Sequence, residues 1–263
     1  MNMSGHSKWS TIKHKKEAND AKRSKEFSKI SALITHAAKS GGGDLEINPT
    51  LRMHVDKAKS IGFPADNIER AIVKGTGEDT EGVHFEEVSY EGYGPSSVAI
   101  IVDCLTDNTN RSVSEIRRIF GEAGGSLGDQ NSVSWNFDVK GKIDVKAGHK
   151  EKAKKYGEDD KYIEDDRDVV MMDLIDIEGI LDIREKDIDG VKGVEVITEF
   201  KDMARVRDEI SKKFPYVIDD ASIIKIAKNR KKLEGEELEK IKNLLKRFED
   251  RDDVQSVWND LDV

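Results

Sequence analysis

The feature that most constrains the fold is a change of apolar period near residue 80. Before it, apolar residues recur every three or four positions; after it, they come in short runs rich in Val and Ile. The spacing Ala18, Ala21, Phe27, Ile30, Ile34, Ala37 and Ala38 predicts an amphipathic helix from about Glu17 to the stop at Gly41-Gly42-Gly43, with residues 5–9 extended or flexible unless Trp9 docks on a neighbouring helix. Asn48-Pro49 opens a second helix with Leu51, Val55 and Ala58 inward. Phe63-Pro64 opens a third, carrying Ile68, Ala71 and Ile72 and ending at Gly75-Thr76-Gly77.

Beyond Glu78, strands are predicted at 85–90 and 97–105, separated by the turn signal Gly92-Tyr93-Gly94-Pro95. Ser112-Val113-Ser114-Glu115 reads as a capping box for a helix burying Ile116, Ile119, Phe120 and Ala123, and residues 132–139 alternate as a half-buried strand. Residues 140–168, with acidic blocks at 158–160 and 164–166, read as a charged excursion or linker. A helix at 169–181, a strand at 194–200, a helix at 203–214 and a strand at 221–226 follow. A helix at 236–248 with Leu238, Ile241, Leu244, Leu245 and Phe248 on one side precedes a closing strand at 254–258. The fold class is therefore α+β: a helical N-terminal domain and two ferredoxin-like α/β domains whose strands are covered on one face by helices.

Charge gives the functional direction. Residues 1–40 hold nine Lys and Arg against three acids, a net of +6, whereas the whole chain carries −9, so the other 223 residues carry −15. A basic cluster of this kind binds phosphates by counterion release even in an acidic protein; the plain alternative is a solvated Lys-rich helix face. The expected contacts are Lys8, Lys13, His14, Lys15, Lys16, Lys22, Arg23, Lys25 and Lys29, most of them off the apolar stripe. Trp9 is read as a packing anchor before a base-stacking platform, and His6 as a polar member of the same surface. Arg111 sits beside Asp107 as a loop brace or a secondary contact, and Arg117 and Arg118 are solvated.

The sequence offers little to an enzyme. It has no Gly-x-Ser-x-Gly elbow and no Walker lysine, and its single cysteine, Cys104, lies in a strand pattern as a buried thiol rather than a nucleophile. One cysteine allows no internal disulfide, and no histidine pair has metal-site spacing. No cofactor, metal or small-molecule substrate is expected. No apolar run approaches the roughly 18 residues of a membrane span, and the basic start lacks a secretory core. A cytoplasmic protein is expected.

Several motifs together resemble the YebC family. They are Gly5-His6-Ser7-Lys8-Trp9, Ile12-Lys13-His14-Lys15-Lys16, Asp20-Ala21-Lys22-Arg23, Gly41-Gly42-Gly43-Asp44 and Asn48-Pro49-x-Leu51-Arg52. Pro64-x-Asp66-Asn67-Ile68-Glu69-Arg70-Ala71-Ile72, Tyr90-Glu91-Gly92-Tyr93-Gly94-Pro95, Thr106-Asp107-Asn108-x-Asn110-Arg111 and Asp253-Val254-Gln255-x-Val257-Trp258 extend the match to the far end. The resemblance implies three domains: 1–80, helical and basic; 81–139 completed by 230–263; and 140–229, carrying a charged insert near 150–168 that is longer and more acidic than the family pattern. It also implies a regulator of gene expression. Members are described as DNA-binding transcriptional regulators, and others, including a mitochondrial activator of cytochrome oxidase subunit synthesis, act in translation on the ribosome. The expected partner is DNA, with ribosomal RNA as the alternative, and the acidic α/β domains are available to protein partners.

Overall fold

The computed structural model describes residues 5–77, 85–151 and 161–262, with residues 5–22 described by their backbone. The chain forms helices α1 (Gly5–Gly41), α2 (Pro49–Ser60) and α3 (Ala65–Thr76), then β1 (Glu86–Tyr93), β2 (Ala99–Thr106), α4 (Thr109–Glu122) and β3 (Ser126–Leu127). It continues through β4 (Phe137–Glu151), β5 (Lys161–Glu164), α5 (Arg167–Ile175), β6 (Ile180–Ile188) and β7 (Val191–Glu199). It ends with α6 (Met203–Lys213), β8 (Tyr216–Ala227), α7 (Gly235–Glu249) and β9 (Val254–Asn259). Two compact units result, Met1–Trp135 with Asn229–Val263, and Asn136–Lys228.

In the first unit, α1, α2 and α3 close on Ile30, Ile34, Ala37, Leu51, Val55, Ile68 and Ala71, which are the positions their period selects. Asn48 makes the corner. Its side-chain oxygen accepts from the Leu51 amide, and its amide nitrogen donates to the carbonyls of Ala37 and Gly42. One residue thus starts α2 and fastens it to the end of α1, a use of the cap beyond the usual pairing. Gly75 lets α3 approach α1, since a Cβ there would lie 2.3 Å from the Thr35 carbonyl oxygen.

The same unit holds an antiparallel sheet in the order β3-β1-β2-β9. Because β2 and β3 flank β1, the β2–α4–β3 segment is a split β-α-β crossover, and α7 lies beside α4 with Phe120 and Phe248 rings 4.8 Å apart. Strand β9, from the far end of the chain, pairs with β2 and completes the sheet.

The second unit has the full β-α-β-β-α-β order. Strand β4 lies between β7 and β8, β6 pairs with β7, and β5 adds to the end of β4. Helices α5 and α6 bury Val170, Leu174, Val206 and Ile210. Asp189-Gly190, both at positive φ, turn β6 into β7 as a two-residue hairpin requires.

The structure corrects several boundaries. Residues 5–9 are helical, so α1 begins well before Glu17. The helix after β2 starts at Asn108, whose side chain accepts from the Arg111 amide; Ser112 of the supposed capping box is buried within α4. The expected strand at 132–139 is a 3₁₀ turn at Ser134–Asn136 followed by the start of β4. Much of the supposed linker at 140–168 is strand. In β4, Lys140, Lys142 and Lys146 alternate with Gly141, Ile143, Val145 and Ala147, so a pleated strand buries one side while the lysines pair with acids on the other. Residues 152–160 of the charged insert lie outside the described residues. The helix expected at 169–181 stops at Ile175, and Gly179 at φ +92° leads into β6.

Candidate nucleic-acid interface

The basic cluster lies on one element. Continuous helix from Gly5 carries positions 8, 13, 14, 15, 16, 22, 23, 25 and 29 on a single rod about 55 Å long. The helical repeat places residues spaced by seven, such as 8, 15, 22 and 29, near one face. The side chains of Lys8, Lys13, His14, Lys15, Lys16 and Lys22, and those of His6 and Trp9, lie outside the described residues.

The described part of the cluster shows two behaviours. Arg23 is exposed, with its guanidinium 5.1 Å from the centre of the Phe27 ring, which itself meets Phe63 edge-on at 5.0 Å. This stacking holds the arginine stem while the cation faces water. Lys25 and Lys29 are half-buried and engaged within the protein. The Lys25 ammonium donates to Asp250 at 2.7 Å, and Lys29 donates to the Glu249 carbonyl at 3.0 Å. Burial draws the Lys29 ammonium below the usual lysine value against the attraction of Glu249, and Lys25 holds the Asp250 carboxyl below its usual range. The two lysines therefore fasten α1 to the turn between α7 and β9. A cleft of about 930 Å³ lies at this contact, with Lys25, Lys29, Lys246 and Trp258 among its walls.

That turn is fixed from its other side by Asp253. Its carboxylate accepts from Ser112 Oγ at 2.7 Å, Thr106 Oγ1 at 3.0 Å and Arg111 Nη2 at 3.1 Å. Burial pushes this carboxyl upward, and the bonds from Ser112, Arg111 and Thr106 outweigh it, leaving the group below the ordinary Asp value. Arg111 also reaches Asp107 at 2.6 Å, so it braces the loop that starts α4. Arg117 and Arg118 are exposed, and Arg118 pairs with Glu122. The sequence marks Ser112 only as a helix cap and Thr106 and Asp253 only as motif residues, and it gives no local signal for Asp250. The motifs at 106–111 and 253–258 hold Thr106 and Asp253, and the contact between these segments spans more than 140 positions.

Little in this region resembles a catalytic centre. Cys104 is buried in β2, and burial, with Asp253 and Asp103 nearby, pushes its thiol up to about 12. Among the described residues, no three His, Cys, Asp or Glu side chains are grouped as a metal site needs, and no helix is long and apolar enough to cross a membrane.

Comparison with known proteins agrees over nearly the whole length. Residues 7–78 match the TACO1/YebC protein N-terminal domain, and residues 85–261 match the TACO1/YebC second and third domain. A probable transcriptional regulatory protein of Dictyoglomus turgidum is 43% identical over 261 residues, covering 99% of this chain and 96% of that one. One of Geobacter sulfurreducens is 44% identical over 263 residues, covering 99% and 96%. The crystal structure of a conserved hypothetical protein from Aquifex aeolicus superimposes with a TM-score of 0.77 at 34% identity, covering 92% of this chain and 91% of that one. From its helical start to its last strand, the chain belongs to the TACO1/YebC family.

Proposed function

We propose that this protein is a non-enzymatic regulator of gene expression that binds DNA through α1 and acts in the cytoplasm. Lys8, Lys13, His14, Lys15, Lys16, Lys22 and Arg23 contact phosphates, while Lys25 and Lys29 hold the helix on the turn between α7 and β9. The observation that carries this reading is a net +6 segment on one continuous helix, in a chain of net −9. Phosphate contact by Lys and Arg supplies most sequence-independent affinity for nucleic acid, and it requires no other charge on the molecule. Residues 1–80 are the binding domain in this reading; 81–139 with 230–263, and 140–229, are the two α/β domains. The names of the relatives, probable transcriptional regulatory proteins, support regulation as the role.

Sedimentation of a cell extract through sucrose at low salt, with and without nucleases, tests the partner. The expected result is that the protein stays out of ribosomal fractions and shifts position when DNA is digested. Co-sedimentation with ribosomes that survives DNase and disappears with RNase overturns DNA as the partner in favour of ribosomal RNA.

A further inference from the structure

The second unit carries an apolar surface that its own core does not use. Of the ten exposed large apolar side chains among the described residues, four fall within positions 169–181: Val169 at 50%, Met172 at 73%, Ile175 at 69% and Leu181 at 52% exposure. Three of them follow the i, i+3, i+6 spacing on α5, an arc of about 120° on that helix. The opposite side of α5 is already committed, since Val170 and Leu174 are fully buried. Helix α5 is therefore apolar on two faces, one of them facing solvent. Clustered apolar exposure rimmed by polar groups marks an interaction surface.

The rim has one sign. Residues 164–187 hold ten acids against three bases. The three bases are consumed locally: Arg167 pairs with Glu185 and Asp187, Arg184 with Asp182, and Lys186 with Asp144 and Glu195. Asp168, Asp176 and Glu178, which interleave with the apolar positions, are exposed, and their carboxylates form no ion pair among the described residues; Arg205 reaches only the backbone carbonyl of Glu178.

We propose that this face of α5 docks a basic amphipathic helix of a partner protein. The apolar stripe of the partner covers Val169, Met172 and Ile175, and its lysines or arginines meet Asp168, Asp176 and Glu178. Charge complementarity selects this occupant, because an acidic or neutral helix would leave the three carboxylates opposite like charge or desolvated without a cation. The surface uses no residue of α1, so it stands whether or not α1 binds DNA.

The test uses the full chain and a labelled synthetic peptide, an amphipathic helix with leucines on one face and lysines on the other. A second peptide keeps the leucine face and replaces lysine by glutamate. Binding is read by fluorescence anisotropy, and melting temperature checks the fold of each variant. The expected result is saturable binding of the lysine peptide, weakened by about tenfold or more in the Met172→Asp, Ile175→Asp double variant, as loss of central apolar contacts implies. Val73→Asp, at an exposed apolar position on α3, leaves binding unchanged. The glutamate peptide binds at least about tenfold more weakly to the unaltered protein, a comparison that needs no variant to fold. Equal affinity for the two peptides, or an undiminished isotherm in a folded double variant, overturns the proposal. So does concentration-dependent self-association that the double variant abolishes, because a second copy would then be the occupant.

Discussion

Replacing Asp253 by alanine tests how the α7–β9 turn is held. The carboxylate accepts from three side chains, and two of these donors, Ser112 and Thr106, are buried at 2% and 0% exposure. Ser112 has a fallback, the Asn108 carbonyl at 3.2 Å, and Arg111 keeps Asp107, so part of the loss is recovered. Bonds to a charged acceptor are worth about 1.5–3 kcal/mol each, and with that recovery the variant loses about 2–4 kcal/mol. For a unit of this size the loss corresponds to a fall in melting temperature of roughly 5–15 °C. Acid sharpens the test. The folded-state carboxyl lies below its unfolded value, so its stabilisation is complete above the unfolded pKa of about 3.9 and is lost as pH falls through the folded value. Thermal unfolding followed by circular dichroism at pH 7 should show the full gap between the protein and Asp253→Ala, and the gap should narrow below about pH 4. A variant that melts within about 1 °C of the unaltered protein at pH 7, or a gap that widens in acid, refutes the reasoning.

Two further outcomes follow from packing. Gly75→Ala should destabilise the helical part by about 1–3 kcal/mol, because the new methyl meets the Thr35 carbonyl and the Ala38 side chain, outweighing the helix propensity of alanine; a neutral result in a denaturant titration would mean that α1 and α3 have room to spare. Cys104, pushed up to about 12 by burial and neighbouring carboxylates, should resist iodoacetamide at pH 8 in the folded protein and react promptly in denaturant. Rapid labelling of the folded protein would contradict its placement in the core.

Much of this fold is written in local sequence. Leu51, Val55 and Ala58 sit at helical spacing behind Asn48-Pro49, and Ile241, Leu244 and Phe248 are buried as their stripe on α7 requires. The errors have physical sources. Gly5, His6 and Ser7 are weak helix formers with no apolar stripe, so nothing local announces the start of α1. In β4, charge masked a period of two, because lysines that pair across the sheet count the same in a composition as lysines in a linker. At 108–115 two cap signals compete; Asn108 prevails because Ser112 is drawn inward by Asp253. The partners of Lys25 and Lys29 lie 225 and 220 positions away, a distance over which no spacing rule operates. The basic cluster was legible as charge, whereas its division into exposed Arg23 and anchoring Lys25 and Lys29 required the fold.

The central claim, that α1 holds phosphates, is tested most directly by the salt dependence of duplex DNA affinity. Each phosphate contact adds about 0.9 to the slope of log affinity against log salt. Alanine at Lys13, Lys15, Lys16, Lys22 and Arg23 should therefore weaken binding at every sequence and flatten that slope by up to about 4.5. An unchanged affinity and slope in the folded quintuple variant would contradict the account.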